Sequence, residues 1–93
     1  MKLFYVVSYD IGDDRRRRKV MQTLEDFGAR VQYSVFECRL EAAQLAELKK
    51  RLKPHVRAPA DSIRFYPLCA EDVTRIGVMG AGGVKDDPTF YLL

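Results

Sequence analysis

This chain of 93 residues is poor in the residue types on which most enzyme chemistry depends. It has one histidine, His55, in a loop beside Pro54, and no Ser-His-Asp or Cys-His arrangement suggests itself, so nucleophilic catalysis is not the expectation. Its two cysteines, Cys38 and Cys69, are far apart and match no metal or redox spacing. Cys38 lies in an apolar run and reads as a buried free thiol. No long hydrophobic stretch is present: the apolar run near the start, Leu3 to Val7, is shorter than the core of a signal peptide and far short of a membrane span. The expectation is a cytoplasmic protein. There is no internal repeat and no domain linker, and residues 1–93 read as one domain. The segment "GAGG" lacks the Lys-Ser/Thr of a phosphate loop, and "DIGDD" lacks the alternate acids of a calcium loop.

What the chain does have is an unusual opening, "MKLFYVVSYDIGDDRRRRKV". An apolar run ends at one carboxylate, Asp10. Two more acids follow, then five contiguous cations, Arg15, Arg16, Arg17, Arg18 and Lys19. The net charge is only +3, but local density matters more than the total for a phosphate partner. Cations at the start of a helix oppose its dipole, so a sequence that places them there has a use for the charge. Spacing puts Arg15, Arg18 and Lys19 on one helical face, with Arg16 and Arg17 elsewhere. The alternative is a solvated face balanced by Asp13 and Asp14.

Leu3 to Tyr9 is β-branched and aromatic and reads as a strand buried on both faces. Asp13 or Asp14 caps a helix whose inner face is Val20, Met21, Leu24 and Phe27, with Gly28 placed to terminate it. In "VQYSVFECRL", residues 31–40, the apolar side switches at Ser34-Val35, which predicts a bulge or tight reversal. A second helix spans Glu41 to Lys53, with Leu45, Leu48 and Leu52 inward and Pro54 at its end. His55 to Pro59 is loop, and Asp61 to Leu68 a third strand region with Pro67 at a sheet edge. Asp72 to Met79 could add a short strand. "GAGGVKDDP" reads as a flexible connection and "TFYLL" as an apolar tail, so residues 80–93 form an extension. The expected class is α+β, a ferredoxin-like βαββαβ sheet with both helices on one face and an extra C-terminal strand. The second face is left apolar, which predicts a two-fold homodimer, with the extension packing on the partner.

Asp10 either caps the turn at the end of its strand or serves a site there. By alternation it shares a face with Phe4, Val6 and Ser8. One carboxylate is a poor Mg2+ site, but a two-fold dimer bringing both Asp10 side chains together would supply a second ligand. The strand aromatics, Tyr9 and Phe36 among them, read as core or as base-stacking surfaces.

Three ordered motifs, "YVVSYDIGDDRRRRKV", "GARVQYSVFEC" and "DSIRFYPLC", closely resemble the small CRISPR-associated adaptation nuclease family, the second of the two proteins common to nearly all CRISPR systems. The resemblance covers almost the whole chain. It implies a homodimeric endonuclease that depends on Mg2+, with Mn2+ as a substitute. It implies that Asp10 binds the metal, and that Tyr9 and Arg15 to Arg18 contact substrate, Arg16 and Arg18 foremost. Arg30 and Phe36, in the second motif, would shape the same cleft. The implied partners are RNA or DNA and the CRISPR integrase, beside which the protein is either a catalyst or a scaffold. A toxin-like ribonuclease on the same small fold is a third reading.

Overall fold

The computed structural model describes residues 1–80. β1 (Leu3–Asp10) is followed by α1 (Asp14–Glu25), the hairpin β2 (Gly28–Gln32) and β3 (Val35–Leu40), α2 (Ala42–Leu52), β4 (Ser62–Leu68) and a short α3 (Ala70–Thr74). The sheet is antiparallel, in the order β2-β3-β1-β4. This is the ferredoxin-like βαββαβ arrangement, with β1 in an inner position. The expected extra strand and the 80–93 extension lie, apart from Gly80, outside the described residues.

Alternation along β1 builds two apolar layers. Tyr5, Val7 and Tyr9 face α1 and α2 and enter the main core with Val20, Leu24, Phe36, Cys38, Leu40, Leu48 and Leu52, all buried. Burial of side chains such as Phe36 and Leu24 contributes about 1.5–3 kcal/mol each. Phe4 and Val6 point to the other face, where Val73 of α3 covers them together with Leu68 and Ile76. Part of the second face is therefore closed by the chain itself.

Two expectations are corrected here. Residues 72–79 do not form a strand; Ala70–Thr74 are helical. Val73 and Ile76 reach the same apolar cluster at a spacing of three, the helical period. Glu71 and Asp72 sit in the first turn, where their charge complements the helix dipole, and the Cys69 thiol donates to Asp72 Oδ2 at 3.2 Å. Gly28, second, does not terminate α1, which ends at Glu25 with Asp26 as its cap. Gly28 instead opens β2 against β3, where a Cβ would lie 2.3 Å from the Glu37 carbonyl oxygen and 2.4 Å from Cys38 Sγ. The required feature is close approach.

The switch of apolar side in residues 31–40 has two structural causes. The chain reverses at Tyr33-Ser34, between Gln32 and Val35, and the β2–β3 register shifts between Arg30 and Gln32. The reversal brings the Tyr33 carbonyl close to the end of β1, where the Tyr9 N–H donates to the Ser34 carbonyl at 3.1 Å.

Candidate nucleic-acid interface

The turn from β1 into α1 is built around a buried carboxylate. Asp61, one residue before β4, has a side chain only 1% exposed. It accepts from the Gly12 N–H at 3.1 Å, from the Arg57 N–H at 2.9 Å and from the Arg16 guanidinium. The hydrogen bond from Gly12, with those from Arg16 and Arg57, holds its pKa below the usual carboxylate range. Arg16 also donates to the His55 carbonyl at 3.3 Å. Asp13 caps α1 by accepting from the Arg16 N–H at 2.9 Å, which lowers its pKa as well. Arg17 donates to the Ile11 carbonyl at 3.0 Å and pairs with Asp14. The short link Ile11–Asp13 is thereby fixed from both sides.

These contacts divide the cation block. Arg16 and Arg17 are committed to holding the turn. Arg15, Arg18 and Lys19 are exposed and make no ion pair or side-chain hydrogen bond among the described residues. The three that share a helical face are the three whose charge is available.

A cavity of about 340 Å³ opens between α1 and the β2–β3 reversal. It brings Arg17, Arg18 and Arg30 beside Tyr9, Tyr33 and Met21, with Asp14 at its edge. Arg30 is held there by two bonds to the Tyr33 carbonyl, at 2.7 and 3.1 Å, and lies 5.1 Å from the centre of the Tyr33 ring. The Tyr9 hydroxyl donates to the same carbonyl at 3.1 Å. Burial raises the Tyr9 pKa, so the phenol remains a neutral donor. Tyr33, two-thirds exposed, is not core and offers an aromatic face, the base-stacking alternative among the readings of the strand aromatics.

Asp10 occupies a different surface. It is exposed, pairs in register with Ser62 of β4, and has no hydrogen-bond or ion-pair partner among the described residues. Alternation places it on the sheet face opposite Tyr9. Tyr9 and Asp10 are adjacent in sequence but do not share a cleft within one protomer. Phe36 is fully buried, with its ring 6.3 Å from that of Tyr9. It has no surface to offer a nucleic acid and supports Tyr9 from below, which corrects its expected place in the cleft. Arg16 is corrected in the same sense, because its charge is spent on Asp61. Sequence reasoning missed Asp61 altogether: its donors come from positions 12, 16 and 57, and no local pattern announces them.

No group of three or more His, Cys, Asp or Glu that could hold a metal occurs among the described residues. Asp10 still fits one demand of Mg2+: it is a hard oxygen donor that no cation among the described residues neutralises. One such donor per protomer is half of a two-carboxylate site. No described helix is long and apolar enough to cross a membrane.

Comparison with known proteins shows what the chain as a whole is similar to. The family model for the CRISPR associated protein Cas2 matches residues 1–76. A CRISPR-associated endoribonuclease Cas2 of Synechocystis sp. is 50% identical over 84 residues, covering 90% of this chain and 91% of the relative. The crystal structure of Streptococcus pyogenes Cas2 superposes with a TM-score of 0.73 at 35% identity, over 83% of this chain and 99% of that one. A chain of a partial Cas6-RT-Cas1–Cas2 complex superposes with a TM-score of 0.74 at 28% identity, over 85% of each chain.

Proposed function

Since the chain belongs to the CRISPR-associated Cas2 family, we propose that it is a metal-dependent endonuclease of the CRISPR adaptation machinery, acting as a homodimer on RNA or DNA and partnering the CRISPR integrase. The observation that carries the catalytic part is the state of Asp10: an exposed carboxylate at the end of a strand, unneutralised among the described residues and joined to the cation-bearing helix by the Ile11–Asp13 link. Two copies of Asp10 meeting across a two-fold axis would hold Mg2+, or Mn2+ in its place. The ion would activate water and stabilise charge on the transferring phosphate. Arg15, Arg18 and Lys19 draw in and orient the polynucleotide backbone, and Arg30 with Tyr33 offers a cation and a stacking surface beside them. Arg16, Arg17 and Asp61 are positioning residues: they hold the Ile11–Asp13 link, and through it the direction in which Asp10 points.

A second reading, a non-catalytic adaptor that holds DNA for the integrase, is favoured by the likeness to a chain of a Cas1–Cas2 complex and by the lack of any group of three metal-binding side chains among the described residues. Incubating the wild type and Asp10→Asn with RNA, single-stranded DNA and duplex DNA, in Mg2+, Mn2+ or a chelator, separates the two. The enzyme cuts at least one substrate only with metal, and Asp10→Asn abolishes cutting while binding persists. A wild type that cuts nothing under any condition leaves the adaptor.

A further inference from the structure

A second cationic segment, residues 49–57 ("KKRLKPHVR"), contains Lys49, Lys50, Arg51, Lys53 and Arg57 and no acid. The ordinary explanation for cations there is the negative end of the α2 dipole, and it accounts for Lys49, Lys50 and Arg51 in the last turn. Two of those three are also occupied: Lys49 lies over the Phe65 ring at 5.2 Å, and Arg51 pairs with Asp26 at 2.7 Å. Arg57 is different; Lys53 is the C-cap of α2 and lies within reach of its dipole, but forms no ion pair among the described residues. Lys53 starts the 3-10 turn beyond α2, and Arg57 lies two residues past the end of that turn. The dipole acts over the last turn of a helix and does not reach Arg57. Both residues are exposed, and neither side chain has a partner among the described residues.

Their place in the fold supplies the second observation. The turn that carries them is stitched to the start of α1: Arg16 donates to the His55 carbonyl, and Asp61 accepts from both Arg16 and the Arg57 N–H. At about 100° per residue, Lys19 falls between Arg15 and Arg16 around α1, so the free face borders the side on which Arg16 reaches the turn. Two acids lie at this junction: Asp61 is buried and matched with Arg16, and Asp13, half exposed, caps α1 and lies 3.9 Å from Arg16 Nε. Free cations of α1 and of the 53–57 turn therefore flank a junction whose acids are both engaged by Arg16.

We propose that the phosphate-binding surface continues from Arg15 and Lys19 across this junction to Lys53 and Arg57, forming a two-element track for a nucleic-acid backbone. It rests on the nucleic-acid reading given above and extends it to an element outside the cation block. Asp61 serves the track twice: it fixes the two elements in register and withdraws one negative charge from the surface.

The test measures binding of a fluorescein-labelled duplex DNA by anisotropy, from about 50 to about 200 mM NaCl. Lys53→Gln/Arg57→Gln should flatten the slope of log affinity against log salt by about 2 if the duplex crosses one protomer and about 4 if it crosses both. Lys2→Gln/Arg75→Gln is the charge-matched control. Lys2 and Arg75 are exposed at the opposite end of β1, near Phe4 and α3, and their replacement should leave the slope unchanged. Lys53→Glu/Arg57→Glu should weaken binding further than the glutamine pair. An unchanged slope in Lys53→Gln/Arg57→Gln, or an equal loss in the control, overturns the track. If Arg15→Gln/Arg18→Gln/Lys19→Gln flattens the slope and the turn variant does not, only the extension falls. If the wild type shows no salt-dependent binding, the nucleic-acid reading falls with it.

Discussion

Replacing Arg15, Arg18 and Lys19 together by glutamine should flatten the salt dependence of duplex binding and leave the fold intact. Each phosphate neutralised on duplex DNA contributes about 0.9 to the slope of log affinity against log salt, and about 0.7 on a single strand. Three free cations in each of two protomers correspond to about six phosphates and a slope contribution of about −5, or roughly a thousandfold in affinity between about 50 and 200 mM salt. Glutamine keeps helix propensity close to that of arginine and lysine, and none of the three side chains bonds to the rest of the described protein, so the melting temperature should hold. Arg16→Gln should behave oppositely. It removes the cation facing buried Asp61 and leaves that carboxylate with only the backbone donors of Gly12 and Arg57, so thermal stability should fall first. Any change in binding should then follow the folded fraction. Anisotropy titrations at several salt concentrations, with melting curves for each variant, read both effects. The reasoning is refuted if the triple variant keeps the wild-type slope, or if Arg16→Gln flattens the slope as much as the triple variant at an unchanged melting temperature.

Asp10→Asn should abolish metal-dependent cleavage without lowering the melting temperature, because the carboxylate is exposed and has no partner among the described residues; a loss of stability in calorimetry would contradict that. Asp61→Asn should lower stability at neutral pH and make it less dependent on pH in the acid range. Asp61 has a folded pKa below its unfolded value of about 3.9, so its contribution is full above that pH and is lost as the pH falls through the folded value. The gap in melting temperature between wild type and Asp61→Asn should accordingly be wide at neutral pH and close below about pH 4. Gly28→Ala forces β2 away from β3, because its Cβ would sit 2.3 Å from the Glu37 carbonyl oxygen; overpacking of this kind costs about 1–3 kcal/mol, at about 4–8 °C per kcal/mol in a domain of this size, read by circular dichroism.

Periodicity carried most of the fold. Leu3–Asp10 and the two long helices follow from apolar spacing, and the phase change at Ser34-Val35 located the reversal because only a turn or bulge can move the apolar side. Residues 70–76 were misleading because Val73, Ile76 and Val78 favour strands locally, whereas contact with Phe4 and Leu68 requires helical spacing. Gly28 was legible as special and was given the wrong reason: a residue just past a helix suggests a cap, and only the packed hairpin shows that the backbone of β3 leaves no room for a side chain. The site was legible as an acid followed by cations. Its internal division was not, since the contacts that commit Arg16 and spare Arg18 run from α1 to positions 55 and 61, far away in sequence.

The two parts of the proposed site lie on opposite sides of the sheet, and this constrains how a nucleic acid can meet both. Asp10 follows the Phe4, Val6 and Ser8 row, whereas Tyr9, Arg30 and Arg18 belong to the helix side. A backbone held by α1 reaches Asp10 only by passing around the end of β1, over the Ile11–Asp13 link. That link has three residues and is held by Asp61 at Gly12, by Arg17 at Ile11 and by the helix cap at Asp13. A mobile link would let the carboxylate drift relative to the cations, and drift of about 1 Å is enough to cost orders of magnitude in rate. The dense ion pairing of the cation block follows from this need. Two of its arginines are committed to fixing that corner, which under the proposed function leaves the neighbouring cations to carry the phosphate.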